Sequence, residues 1–206
     1  SGKSTLLDAI AGKVIVSRGM IRRGGTVKLG YLDQKTNPFH EGKGLNRKVI
    51  EFIEESASLI ELKKDKISAS QLLERFLFPP AQQHSPIGRL SGGERRRLAI
   101  CRMLIQAPNV LILDEPTNDL DIRTLSVLEE FLEDFNGCVI IVSHDRYFLD
   151  RIVDRIFSFE QGYLIQYEGN YSSYAQKKQS RLKGTPNNRK SNSSKSSQRD
   201  RNKDAQ

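Results

Sequence analysis

Three short stretches hold residue types that together suit phosphate chemistry. Gly2-Lys3-Ser4-Thr5 heads a helical pattern and has the form of the end of a phosphate-binding loop, G-x-x-x-x-G-K-[ST]. In such a loop backbone amides cradle phosphates, the Lys reaches the outer phosphate oxygens and the Ser hydroxyl binds magnesium. Taken alone, the tetrapeptide reads equally well as a polar helix start. Val110-Leu111-Ile112-Leu113-Asp114-Glu115 is an aliphatic run that ends in two acids. Acids at the carboxyl end of a central parallel strand face the ligand crevice of an α/β sheet. Asp114 suits holding magnesium through water, and Glu115 suits polarising an attacking water as a base. The competing reading is a pair of solvated acids. Leu90-Ser91-Gly92-Gly93-Glu94 precedes an apolar helical pattern. Ser at the cap with Glu three residues on is a capping box. Two glycines directly after the cap go beyond capping, because they bare the helix amides and let an anion approach closely.

These stretches need elements to hold them. Ser4 to Ala11 reads as a helix, with Leu6, Leu7 and Ile10 at helical spacing. Val27, Leu29 and Tyr31 alternate with Lys28 and Gly30, which predicts a half-buried strand. From Leu45 to Leu77 the pattern is helical until Pro79-Pro80 stops it, and a second helix follows Ser91 with Leu98, Cys101, Leu104 and Ile105 on one side. Val110–Leu113 and Val139–Val142 are apolar at every position, with a helical stretch from Ile122 to Phe135 between them. Strands of that kind are buried on both faces, so an α/β fold with a largely parallel sheet covered by helices is expected. After Asp145 come a short helix, a hairpin turning at Gln161-Gly162 at the sheet edge, and a last helix from Tyr171. From Gly184 onward no aromatic remains, and a disordered linker or tail is expected.

The combination and order of the three motifs resemble those of the ATP-binding cassette ATPases, over about residues 1–160. The resemblance implies a P-loop NTPase-type fold with a helical signature subdomain. Its expected layout is a cassette at 1–168 with the helical part at about 42–106, a C-terminal helix at 169–183, and a tail at 184–206. It also implies ATP and magnesium as ligands, with Gly2, Lys3, Ser4 and Thr5 on the phosphates and Ser4, Gln34 and Asp114 around the metal. Ser91, Gly92 and Gly93 would contact the γ-phosphate held by a partner cassette. Gln34, after the Val27–Tyr31 strand, would sense magnesium and the attacking water. His144, after the Val139–Val142 strand, would contact the γ-phosphate, and Glu115 would be the catalytic base. Asp121 matches an acid that crosses the cassette interface, with a helix N-cap as its other reading. His40 and His84 match nothing. The chain opens inside the phosphate loop, so it is expected to be a fragment, inactive by itself.

Asp114–Asp121, Ser143–Asp150 and Gly169-Asn170-Tyr171-Ser172 resemble the ABC-F proteins, which carry two cassettes in one chain and no membrane domain. Phe76-Leu77-Phe78-Pro79-Pro80 resembles the second cassette of Uup-type members. The implied function is ATP hydrolysis coupled to action on the ribosome or a nucleic acid, in the cytoplasm, with a second cassette as partner. The competing function is the ATP-binding subunit of a membrane transporter. A DNA-repair ATPase with an inserted coiled coil is excluded, because Gln34 and Leu90 are only 56 positions apart. A non-catalytic binding module is disfavoured by the presence of both Glu115 and His144.

Composition places the charge. The 206 residues carry a net +8, and residues 175–206 alone hold ten Lys/Arg against two Asp, so the preceding body is neutral. No window nears the roughly 20 apolar residues of a membrane span. Cys101 and Cys138 sit in apolar segments and read as small core residues of a reducing compartment. Arg95-Arg96-Arg97 reads mainly as a solvated helix face, with nucleic-acid phosphates as the alternative partner. The tail has cations but no stacking platform, so any RNA or DNA binding by it should be blind to sequence. Deleting residues 184–206 removes six of the ten cations. In the full natural chain this deletion should weaken binding to ribosomes or duplex DNA and flatten the log affinity against log salt plot, with ATP turnover kept. Titrations at several salt concentrations check it; an unchanged slope makes the tail a spacer.

Overall fold

The computed structural model describes residues 2–33, 44–57, 59–61, 66–118 and 120–183. Its centre is a parallel sheet of three strands in the order β1 (Leu29–Leu32), β4 (Val110–Asp114), β5 (Cys138–Val142). β4 lies between the other two, with Leu111, Ile112 and Leu113 fully buried, as its unbroken aliphatic run requires. Asn109 ties the start of all three strands. Its side chain accepts from the Lys28 amide and donates to the Thr26 carbonyl, while its own carbonyl accepts from the Cys138 amide. Helix α1 (Lys3–Ala11) packs against β4, and α6 (Ile122–Asp134) runs from β4 back to β5.

A helical layer built from α2 (Val49–Glu54), α3 (Ala69–Arg75), α4 (Pro80–Gln83) and α5 (Gly92–Ile105) shares one core with the sheet. Phe52, Ile53, Leu72, Leu73, Phe76 and Phe78 from the first part of this layer meet Leu98, Ile100, Cys101 and Leu104 of α5. Burial raises the Cys101 thiol well above its ordinary range, so it is an inert core group. α5 in turn packs on β1. The helix that carries the Ser-Gly-Gly stretch thereby joins the helical layer to the sheet.

Several expectations are corrected. The run from Leu45 to Leu77 is not one helical pattern: an antiparallel pair, β2 (Leu59–Glu61) with β3 (Lys66–Ser68), separates α2 from α3. The Ser68 side chain caps α3 with Gln71 in a reciprocal box, a local signal that competes with continued helix. In β1 the buried positions are Gly30 and Leu32, whereas Val27 lies outside the strand and exposed. Tyr31 instead turns to α1, where its hydroxyl donates to Asp8. β5 is only half-buried and Cys138 is exposed, because among the described residues the strand has a neighbour on one side only. The hairpin of β6 (Arg155–Glu160) and β7 (Tyr163–Glu168) forms a two-stranded sheet of its own rather than joining the edge. Ile122 is 84% exposed although it fits the apolar spacing of α6. α7 (Arg146–Ile152) and α8 (Tyr171–Lys183) match the expected last helices, and residues 184–206 lie outside the described residues.

Gly137 leads into β5 where a Cβ would collide with the Asn109 carbonyl, the group that accepts from Cys138, and with the Phe135 ring. Gly137→Ala should therefore destabilise by about 1–3 kcal/mol, as overpacking does. A lowered urea midpoint at unchanged slope checks this.

Candidate functional site

The start of α1 is left open. Gly2 caps it in the left-handed region (φ 71°), with no side-chain cap, and its carbonyl accepts from the Leu6 amide. Gly2, Ser4 and Thr5 are exposed. The first amides of a helix have no intrahelical acceptor, so those of Lys3, Ser4 and Thr5 together with the helix dipole suit an anion.

The ends of β4 and β5 carry the acids and the histidine. Asp114 is buried at the last position of β4, in register with Val142. Glu115 follows with φ 50°, a conformation that costs a non-glycine residue about 1–3 kcal/mol. The amide of Glu115 donates to the Val142 carbonyl (2.8 Å), which fixes that turn against the neighbouring strand. Its carboxylate then meets residue 144 twice. The His144 amide donates to Oε2 (3.2 Å), and the ring Nε2 lies 3.4 Å from Oε1. Glu115 is 9% exposed and His144 is 81% exposed, so a buried carboxylate is joined to a ring that faces solvent. The two loops are knitted further by Thr117 Oγ1 and Ser143 Oγ (3.3 Å) and by the Asp145 amide donating to Ser143 Oγ. Asp145 caps α7 by accepting from the Tyr147 and Phe148 amides.

Ser91 caps α5 with a full reciprocal box: its hydroxyl accepts from the Glu94 amide, and Glu94 Oε2 accepts from both the Ser91 amide (2.7 Å) and hydroxyl (2.8 Å). The Ser91 amide, first among several donors, holds the Glu94 carboxyl below its ordinary range. Gly92 is exposed, with open space where a Cβ would stand. Asp121 is the N-cap of α6, accepting from the Thr124 amide (2.9 Å) and hydroxyl (2.8 Å). These two donors, the amide first, lower its carboxyl as well. Folded values below the unfolded ones mean that both caps stabilise fully at neutral pH and weaken as pH falls through the depressed values.

Arginines finish the arrangement, against the expectation of a solvated face. Arg95 donates to the Gly88 carbonyl, Arg96 to the Asp33 carbonyl (2.9 Å), and Arg97 to Asp121 Oδ2 and Thr124 Oγ1 (both 3.1 Å). Asp33 closes β1 and also pairs with Lys13 from the end of α1 (2.6 Å), whose ammonium lies over the Tyr31 ring. Burial, then the hydrogen bond to Asp8, raises the Tyr31 hydroxyl, so it stays a donor. Asp33 is thus held from α1 and α5 together. Gln34 itself lies outside the described residues, as does His40. Sequence reasoning passed over Lys13 and Asp33 and read Arg96 and Arg97 as solvated, since nothing local distinguishes a bridging arginine from a solvated one.

Chemically, the chain offers a helix start suited to phosphates, a buried acid pair with one member anchored by a histidine, and, on α5, a second bare helix start at Gly92. Asp114 and Ser4 offer oxygen donors only, which fits a hard cation such as magnesium held by one or two protein groups plus phosphate oxygens.

The family model described as ABC transporter matches residues 1–118. The uncharacterized ABC transporter ATP-binding protein YfmR of Bacillus subtilis is 51% identical over 84% of this chain and 27% of its own length. The energy-dependent translational throttle protein EttA of Haemophilus influenzae is 38% identical over 88% of this chain and 32% of its own. The chain thus spans about a quarter to a third of the curated relatives it matches. Among solved structures, archaeal ribosome recycling factor aABCE1, in complex with ribosomal stalk protein aP1, matches with a TM-score of 0.64 at 22% identity over 87% of this chain and 34% of that one. The α/β fold is that of the ABC ATPase cassettes. The site's helix start, acid pair and Ser-Gly-Gly cap stand within the matched segment, and the chain belongs to the ABC transporter family.

Proposed function

We propose that this chain is the ATP-hydrolysing cassette of a cytoplasmic ABC-F type ATPase, of the Uup-like second-cassette kind, acting with a second cassette on the ribosome. The observation that carries the catalytic part is the Glu115 carboxylate, buried and held on both oxygens by residue 144. The coupling to translation is supported by the relationship to EttA, and the subgroup by the Phe76-Leu77-Phe78-Pro79-Pro80 stretch of the sequence. Among the described residues no helix is long and apolar enough to cross a membrane.

In this reading Gly2, Lys3, Ser4 and Thr5 bind the phosphates of ATP, and Asp114, Ser4 and Gln34 surround magnesium. The metal, when bound, neutralises phosphate charge. Glu115 accepts a proton from the attacking water as the water's oxygen bonds to the γ-phosphorus and the bond to the β–γ bridging oxygen breaks, leaving ADP and inorganic phosphate. His144 holds that carboxylate in place and offers its exposed ring to the γ-phosphate. Ser91, Gly92 and Gly93 complete the partner cassette's site, and Asp121 faces the same interface. Cations of α8 and the tail, with RNA or DNA phosphates as their targets, add attraction without base recognition.

In the full natural chain, Glu115→Gln should keep ATP affinity and lower hydrolysis about 10²–10⁴-fold. The variant should also sediment with ribosomes when ATP is present. Wild-type turnover in the variant removes Glu115 from its role; recovery with membranes instead of ribosomes favours a transporter subunit. His144→Ala should cost less than Glu115→Gln, because the backbone amide at 144 still holds Oε2. Single-turnover assays on the two variants side by side check that order.

A further inference from the structure

We propose that Arg97 is a positioning residue that locks the two partner-facing starts of this cassette, Ser91 on α5 and Asp121 on α6, into one unit. The inference rests on the ATPase reading above and extends it to a residue that reading does not use. Arg97 sits in the second turn of α5, on the side that reaches the start of α6, with its side chain only 13% exposed. One nitrogen, Nη1, donates to both Asp121 Oδ2 and Thr124 Oγ1. The other, Nη2, lies 3.9 Å from Glu94 Oε1, on the carboxylate whose second oxygen receives Ser91. The guanidinium therefore stands between the two capping carboxylates. Its floor is the Phe78 ring, 5.4 Å from the guanidinium carbon, and Gln82 of α4 donates to the same Glu94 oxygen.

A polar chain thus runs from Ser91 through Glu94, Arg97 and Asp121 to Thr124. It links segments 30 positions apart that share no strand pairing. An arginine fits this place because its planar fork has separate donors for two acids, whereas a lysine is a single point charge. Two groups that must reach one partner face gain from a fixed mutual spacing, since misplacement at a distance from the chemistry reduces rate sharply. With the clamp in place, Ser91 cannot seat against the partner cassette while Asp121 stays behind.

The test compares the full natural chain with its Arg97→Lys, Asp121→Asn and doubly substituted forms. Arg97→Lys should lower kcat about 10- to 100-fold, with KM for Mg-ATP unchanged. The double variant should be no slower than the slower single variant, because both changes break one linkage. Hydrogen exchange supplies a readout without ATP: in Arg97→Lys the amides of Glu94 and Thr124 should lose protection together. Arg97→Ala also uncovers Phe78 and risks misfolding, so the lysine variant, which keeps the charge, carries the test. Wild-type kcat in Arg97→Lys, additive losses in the double variant, or exchange rising at only one of the two amides overturns the proposal. If the wild-type chain itself turns over no ATP, the ATPase reading fails, and the paired exchange alone decides the clamp.

Discussion

A carboxylate at the end of a buried strand survives only where donors meet it, and the architecture of this protein depends on how Glu115 is met. Desolvating an unpartnered acid is costly. Here the chain turns through a left-handed residue directly after β4, which brings the carboxylate across to the end of β5. The parallel register of β4 with β5 places residue 144 where its amide and ring can both reach. The backbone strain at Glu115 is offset by the hydrogen bond that its amide donates to the Val142 carbonyl and by the donors on its side chain. Lose the register, and the acid has no partner.

The same logic recurs one layer up. Ser91 and Asp121 are both helix caps, and both caps are carboxylate-assisted, one through Glu94 and one through Asp121 itself. Two acids so close to one helical layer require a cation between them, and Arg97 supplies it. At Asp33, where β1 ends, Lys13 pairs with the carboxylate and Arg96 donates to the backbone carbonyl. The basic residues of α5 thus serve the inside of the cassette. Its core aliphatics hold the helix down on the sheet, and its arginines set which loops it carries with it.

The elements bearing chemistry were legible because each is written by a strong local signal. Gly2 ahead of Lys3-Ser4-Thr5, the box of Ser91 with Glu94, and the aliphatic run before Asp114-Glu115 all fold as their residue types require. Local signals were weaker between Leu45 and Leu77, where apolar residues at helical spacing conceal a strand pair; a short apolar run suits either state, and only its neighbours decide. Cys138 and the rest of β5 read as core because they are apolar, yet burial belongs to position in a sheet rather than to residue type.

What the amino-acid sequence determined by itself is the set of reactive groups, the helix and strand ends on which they stand, and the neutral body with its basic tail. Those properties follow from spacing and capping over a few residues, or from counting charge. What only the tertiary structure decided is pairing at long range. Glu115 meets His144 across 29 positions, Arg97 meets Asp121 across 24, and Arg96 meets Asp33 across 63. An arginine in a helix has the same local pattern whether it faces water or an acid from another element. The difference lies in which chain segment the core brings alongside it, and that is a property of the packed layers.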